Sequence, residues 1–218
     1  MLKKDDEFIS LTAQAFNFVK GHKRLFDYLG TAVLGLIVIY MGVYAYTRYI
    51  NKKGQEAFNR AYYAMNDQTG SDKAKPSSEN SEKLFNDLIE DYGMSKAAKL
   101  ALPELAYAQF EQKKYDEAIS LYEQYLDKVS DDDPYDSLSR MALSTCYEQK
   151  GEYDKAIASL EKIMEGPDDY IKEQAMLNLA RVYRLAGKQD KSNETITEFK
   201  KKFPKSVYFD MADSFLKS

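Results

Sequence analysis

The chain has 218 residues, of which 44% are hydrophobic and 30% charged, and its formal net charge is −4. Residues 1–50 carry 6 Lys and Arg against 4 Asp and Glu, which leaves 25 (31 − 6) against 31 (35 − 4) for residues 51–218. That acidic body argues against nucleic-acid binding, which needs clustered cations. A single cysteine, Cys146, excludes an internal disulfide framework and a multi-cysteine metal site. Because Gly and Pro are few, the composition favours an all-α fold.

Residues 1–27 predict a short amphipathic helix. In the stretch DDEFISLTAQAFNFVKGHK, apolar residues fall on one half of a helical wheel and polar residues on the other, with Thr12 as the exception. An isolated helix of this kind has few places to bury its apolar face. We therefore expect it to lie on a membrane surface or against a partner subunit. Its polar face lacks the basic charge of strong lipid binders, so both alternatives stay open.

Residues 28–47 form an uninterrupted stretch without charge. A helix of that length spans roughly 30 Å, which matches the hydrocarbon core of a bilayer. A buried core helix would need a larger and less polar protein around it, and a signal peptide would have a shorter apolar stretch with a cleavage site. The sequence therefore predicts one retained transmembrane helix. Three Lys and Arg precede it closely and four follow it, a difference too small to predict its orientation.

One face of the predicted transmembrane helix is made of small residues spaced by three and four positions. Such a face lets another membrane helix approach closely. Glycine is common in membrane helices in any case, so ordinary composition explains the pattern equally well. The predicted membrane-helix packing face consists of Thr31, Gly35, Val38, Gly42 and Ala45.

Residues 48–94 predict a degenerate helical repeat. Its first helix, KKGQEAFNRAYYAMN, is expected to continue from the transmembrane segment. Its second helix, SEKLFNDLIEDYG, places Phe85 and Leu88 at apolar positions. Between the two helices, residues 67–80 are polar and are expected to form a mobile loop.

Residues 95–218 contain three segments that align with one another. Their shared cores read KKYDEAI, GEYDKAI and GKQDKSN. Within these cores the small residues Ala118, Ala156 and Ser192 are spaced by 38 and 36 residues. This spacing is close to the 34-residue period of tetratricopeptide repeats, which the segments resemble.

Other positions of the three segments also match the tetratricopeptide pattern. Gly151 and Gly187 lie where a left-handed turn ends the first helix of a repeat, and Pro204 lies where the second helix ends. One repeat cannot bury its apolar face alone, so we expect the repeats to stack into an α-solenoid. Residues 206–218 are expected to form a helix that caps the last repeat.

The residue types of most enzyme sites are missing. The one histidine, His22, precedes the predicted transmembrane helix, which excludes a His-based triad and a multi-His metal site. The stretch SDDDPYD lacks EF-hand spacing and a closing Glu, and is more typical of a turn that caps the next helix. Cys146 is expected to pack inside a repeat. We therefore predict a protein that is not an enzyme and that needs no cofactor and no metal.

The remaining candidate site is the concave face of the solenoid, which the first helices of the repeats form. Aromatic and Met side chains there suit the apolar residues of an extended or helical partner segment, and two Arg suit its carboxylates. Packing between repeats is an equally good explanation for each of these residues. The carboxylate clamp of chaperone-docking tetratricopeptide domains is absent, because Pro103 and Tyr107 occupy its first positions. The candidate groove residues are Tyr107, Phe110, Met141, Thr145, Glu148, Leu177, Arg181 and Arg184.

The order of these segments resembles the YfgM family, which are bacterial ancillary proteins of the Sec translocon. The resemblance extends over the whole chain: a DDEF start, one membrane span, a helix leaving the membrane, and FNDLIEDYG followed by KAAKLALPELAYAQF. It implies an inner-membrane protein with a cytoplasmic N-terminus and periplasmic repeats. It also implies the Sec translocon, a membrane-anchored periplasmic chaperone and secreted client chains as partners.

Two other classes of function stay open. A membrane-anchored scaffold for another envelope assembly, such as secretion, motility or outer-membrane machinery, would co-purify with that machinery and would not contact the translocon. A cytoplasm-facing adaptor would expose its repeats to protease only from the inside of the cell.

Overall fold

The computed structural model describes the chain in six ranges, and all regular structure in them is α-helical, with no strand. This confirms the predicted all-α fold. The chain divides into two compact units, Met1–Ile50 and Asn51–Ser218, which are described separately below. The described ranges are 13–14, 16–66, 78–130, 133, 135–166 and 169–217.

The first unit contains the apolar stretch. Residues 16–21 are helical, whereas most of the predicted amphipathic helix of residues 1–27 lies outside the described residues. Helix α1 runs from Lys23 to Asn66, so it includes the whole predicted transmembrane segment and the predicted first helix of the degenerate repeat. Among the described residues, α1 is the one helix long and apolar enough to cross a membrane, by length and composition alone. None of its most apolar window is buried.

The second unit is built from helix pairs. The helices are α2 (Ser78–Tyr92), α3 (Lys96–Glu111), α4 (Tyr115–Leu126), α5 (Asp136–Gln149), α6 (Tyr153–Glu165), α7 (Asp169–Leu185), α8 (Gln189–Lys202) and α9 (Phe209–Lys217). Helices α3 and α4 form repeat 1, α5 and α6 repeat 2, and α7 and α8 repeat 3, and neighbouring helices pack in chain order.

The predicted mobile loop is shorter in the structure. Residues 67–77 lie outside the described residues, and residues 78–80 are the first turn of α2 instead of loop.

The turns inside the three repeats share one geometry. Gly151 and Gly187 have φ angles of 74° and 72°, the left-handed conformation expected where the first helix of a repeat ends. Lys113 occupies the same place in repeat 1, with φ at 61°. Its amide donates a hydrogen bond to the Phe110 carbonyl at 2.8 Å, as the Gly151 amide does to Glu148 at 2.9 Å. Lysine alone does not mark a left-handed position, so the turn is found in the sequence only by aligning KKYDEAI with GEYDKAI and GKQDKSN.

Small residues let the two helices of each repeat approach closely. Ala118, Ala156 and Ser192 are fully buried, as the repeat alignment predicts. In repeat 3 the Ser192 hydroxyl donates a hydrogen bond to the Ala180 carbonyl at 2.7 Å. The largest buried apolar cluster extends from Ala106 through repeat 2 to Tyr183, so the repeats share one core instead of three separate ones.

Polar contacts repeat along the solenoid together with this core. The Tyr147 hydroxyl on α5 donates to Glu123 on α4 at 2.5 Å, and Tyr183 on α7 donates to Glu161 on α6 at 2.6 Å. Burial, then the hydrogen bond to the neighbouring Glu, raises the pKa of both tyrosines. Since each bond joins one repeat to the next, these tyrosines fix the stacking of consecutive repeats.

The end segments of the second unit cover the outer faces of repeats 1 and 3. Ala57 and Ala61 in α1 and Phe85 in α2 form a buried cluster with α3, so the degenerate repeat packs on repeat 1. At the other end, Ala212 of α9 joins a buried cluster with Phe199 of α8 and with α7. Both ends of the apolar core are thereby shielded from water.

Candidate protein-binding groove

The candidate groove lies along α3, α5 and α7, the first helices of the three repeats. Consecutive first helices contact each other, α3 with α5 and α5 with α7. Their outward faces therefore form one surface whose side chains come from all three repeats.

Each repeat contributes one strongly exposed apolar side chain to this surface among the described residues. Tyr107 on α3 is 51% exposed, in agreement with its selection from the sequence. Leu138 on α5 and Leu185 on α7, each 48% exposed, were not selected. Single leucines in a helical pattern are ordinarily read as core residues, so no sequence signal separated these two from the buried ones.

Three candidate residues lie partly buried in the wall of the groove. Phe110 and Met141 pack against the main core cluster, and the Phe110 ring lies 5.5 Å from the Tyr115 ring between centroids. The Thr145 hydroxyl donates to the Met141 carbonyl at 3.1 Å, a bond within α5. These side chains support the groove and offer a partner only part of their surface.

Two of the charged candidate residues, Arg181 and Glu148, form an ion pair near the repeat 3 end of the groove. Arg181 on α7 donates a hydrogen bond to Glu148 on α5, and its second terminal nitrogen lies 3.4 Å from the Asn178 side-chain oxygen. Arg184 lies one turn further along α7 and is half-buried. We had expected both arginines to be available for partner carboxylates, whereas Arg181 is already neutralised by Glu148.

Leu177 was predicted to line the groove, but its side chain is buried. Its side chain is only 6% exposed and belongs to the buried cluster that includes Met176, Ala180 and Ala212. The burial follows from the position of α9, which covers the last repeat. Leu177 therefore stabilises the end of the solenoid, and we leave it out of the contact surface.

The predicted membrane-helix packing face lies wholly within α1. A Cβ atom added to Gly35 or Gly42 would meet no other atom within 4 Å. The Thr31 hydroxyl donates to backbone carbonyls of Asp27 and Tyr28 in the same helix. The face therefore leaves room for close approach of a second helix, and its use stays a prediction.

Neither Cys146 nor the acidic side chains of the described residues form a reactive site. Burial raises the pKa of the Cys146 thiol to about 11, so the thiol stays protonated at neutral pH and is a poor nucleophile. Within the described residues, no three His, Cys, Asp or Glu side chains lie close enough together to hold a metal ion.

Solved structures with the same fold include several repeat proteins. A tetratricopeptide repeat protein from Parabacteroides merdae matches with a TM-score of 0.61 at 16% identity, over 76% of this chain and 59% of that one. MamA protein matches with a TM-score of 0.56 at 16% identity, over 72% and 76%. A putative kinesin light chain with TPR-like repeats from Podosopora anserina matches with a TM-score of 0.54 at 17% identity, over 70% and 76%. No curated protein sequence matches the chain.

Family models match most of the chain. The model for the tetratricopeptide repeat-like domain matches residues 23–167, which is more than half of the sequence. A tetratricopeptide repeat model matches residues 174–206, which correspond to repeat 3. The helix pairs, the left-handed turns and the buried small residues agree with these matches. The chain therefore belongs to the tetratricopeptide repeat-like domain family.

Proposed function

We propose that the chain is a membrane-anchored interaction protein that acts without catalysis. The repeats indicate a protein–protein interaction module, and the groove along α3, α5 and α7 is the surface that we assign to the partner. The anchor is inferred from the apolar stretch of α1, none of which is buried. An exposed apolar surface of that length is unfavourable in water and favourable in a bilayer.

The observation that carries the anchor proposal is the extent of the family match. The match begins at residue 23, so it includes the apolar stretch together with the degenerate repeat and repeats 1 and 2. A segment that is part of the family pattern is poorly explained as a signal sequence removed from the mature protein.

We further propose that the protein works beside the Sec translocon, in the manner of the YfgM family that its layout resembles. In this proposal the protein lies in the bacterial inner membrane, with the N-terminus in the cytoplasm and the repeats in the periplasm. There the groove would receive secreted chains, or a membrane-anchored chaperone that folds them. The small-residue face of α1 would pack laterally against a membrane helix of that assembly.

Protease protection tests the anchor and its orientation together. A C-terminally tagged chain is digested with proteinase in intact spheroplasts and in lysed ones, and membranes are extracted with alkaline carbonate. We expect the tag to be lost in intact spheroplasts and the undigested chain to resist extraction. Protection of the tag until lysis would place the repeats in the cytoplasm and favour the adaptor. Release by carbonate would contradict the anchor itself.

A further inference from the structure

The concave face of repeat 1 contains a carboxylate that pairs with no other described residue. Glu104 lies on α3, one turn before Tyr107, and is partly buried. Among the described residues it makes no hydrogen bond and no ion pair. Burial raises the pKa of its carboxyl, because the ionised form is partly removed from water. Nothing in the described chain offsets that cost.

A buried tyrosine lies on α4, the helix that packs against α3. Tyr122 on α4 is 4% exposed, yet its hydroxyl has no hydrogen bond with any described residue. Burial, and then the nearby ionisable groups of Cys146, Glu104 and Tyr107, raise the Tyr122 pKa. Glu104 and Tyr107 lie on α3, the helix that packs against α4. A buried tyrosine ordinarily has a hydrogen-bond partner.

The arrangement is specific to repeat 1. The positions equivalent to Glu104 are Ala142 in repeat 2 and Asn178 in repeat 3. The side-chain oxygen of Asn178 already lies near Arg181. The acidic site is therefore no general feature of the solenoid, and the repeat period does not explain it.

We propose that Glu104, Tyr107 and Tyr122 form a receptor for one basic side chain, Arg or Lys, of a bound polypeptide segment. The carboxylate supplies the counter-charge, the Tyr122 hydroxyl accepts a second N–H, and the half-exposed Tyr107 ring offers its face to the cation. Leu138 on the neighbouring α5 gives an apolar contact for a residue beside that basic one. The occupant is thus a segment with a basic residue next to an apolar one. This inference rests on the proposed protein-binding function of the groove.

Selection from a displayed random-peptide library on the full chain in detergent micelles tests the site. We expect Arg and Lys to be enriched about tenfold at one position of the selected peptides, the magnitude of a charge-assisted hydrogen bond. Glu104→Gln should abolish that enrichment, and Glu104→Lys should replace it with Asp and Glu. Glu111→Gln, which removes an exposed charge from the same helix, is the matched control and should leave the enrichment unchanged.

The outcomes separate this inference from the function on which it rests. Selected peptides without an enriched basic position would contradict the proposed receptor for a basic side chain. Enrichment that persists in Glu104→Gln would contradict it as well. Either result would still be compatible with peptide binding in the groove. Failure to select any peptide would overturn both. Circular dichroism of Glu104→Gln should show unchanged helicity and an unfolding temperature no lower than that of the wild type. Misfolding of the groove would then not explain a loss of Arg and Lys enrichment in the selected peptides.

Discussion

Lys113 is the residue at which repeat 1 departs most clearly from repeats 2 and 3. It adopts φ of 61°, where Gly151 and Gly187 serve the other repeats. A side chain with a Cβ in this conformation costs roughly 1–2 kcal/mol relative to its preferred states. Repeat 1 therefore contains a strained turn that the other two avoid.

Replacing Lys113 with Gly should stabilise the second unit by about 1 kcal/mol, since relief of the strain exceeds the added entropy of an unfolded glycine. The measurement is thermal or urea unfolding of the full chain in micelles, followed by circular dichroism. Lys114→Gly, at the neighbouring residue with φ of −85°, is the control and should not stabilise. A lower unfolding temperature for Lys113→Gly would show that the lysine side chain contributes more than the turn costs.

At the scale of elements, the joint between the degenerate repeat and repeat 1 lacks the tyrosine contact of the later joints. Gln109 occupies the position of Tyr147 and Tyr183, is buried, and leaves its side-chain oxygen without a hydrogen-bond partner among the described residues. Asn86 lies at the position of Glu123, beside an open cavity of about 390 Å³.

The double substitution Gln109→Tyr with Asn86→Glu should build the missing contact between α2 and α3. Gln109 already makes a side-chain hydrogen bond to Glu82, which the substitution removes. We therefore expect the new tyrosine hydroxyl to add about 1 kcal/mol to the free energy of unfolding relative to the same pair with phenylalanine in place of the tyrosine, the net value of one hydrogen bond. Gln109→Phe with Asn86→Glu keeps the ring and removes the hydroxyl, so it is the matched control. Equal stability of the two double variants would refute the proposed bond.

Ion pairs within repeat 2 and between repeats 2 and 3 add a pH dependence. Hydrogen bonds from Lys150 and then Lys155 lower the pKa of Glu152 below its ordinary 4.5, and Lys188 lowers that of Asp154 below 3.8. Because the folded carboxyls hold protons less tightly than the unfolded ones, their contribution is complete above these ordinary values and is lost as pH falls from them through the lower pKa values of the folded state.

The unfolding temperature should therefore fall between about pH 5 and pH 3, and the fall should shrink in about 1 M salt, which screens exposed pairs. Asp154→Asn should remove part of the dependence, and exposed Asp210→Asn should not. A midpoint that is constant with pH would show that these exposed pairs contribute nothing to stability.

For the whole molecule, the helix pairs could be predicted from the sequence, whereas the contacts within the groove could not. Local spacing of small residues predicted where α3 to α8 pair, because helix contact needs those residues at fixed intervals. The pairing of Arg181 with Glu148 joins residues 33 positions apart. The burial of Leu177 depends on its cluster with Ala212 of α9. Glu104 is unpaired among the described residues because none of them offers it a hydrogen bond or an ion pair. Each of these requires the tertiary arrangement.

The membrane-helix packing face gives a prediction for the intact protein. Gly35→Leu with Gly42→Leu should weaken co-purification with a membrane partner, because bulky side chains prevent close approach of helices. The repeats should keep their helicity, since a Cβ added at either glycine would meet no other part of the described chain within 4 Å, apart from the backbone of its own helix. Leu34→Ala with Met41→Ala, on neighbouring positions of α1, is the control. Unchanged co-purification of the glycine variant would contradict helix packing at this face.

The groove itself is tested most directly by photo-crosslinking in living cells. A photoreactive phenylalanine analogue replaces Tyr107 or Leu138 in the groove, or the exposed Glu117 on α4 outside it. We expect the Tyr107 and Leu138 positions to crosslink to the same protein partner and the Glu117 position to give no adduct. Glu104→Gln should reduce the Tyr107 adduct. Adducts from Glu117 alone, or equal adducts from all three positions, would contradict binding in the groove.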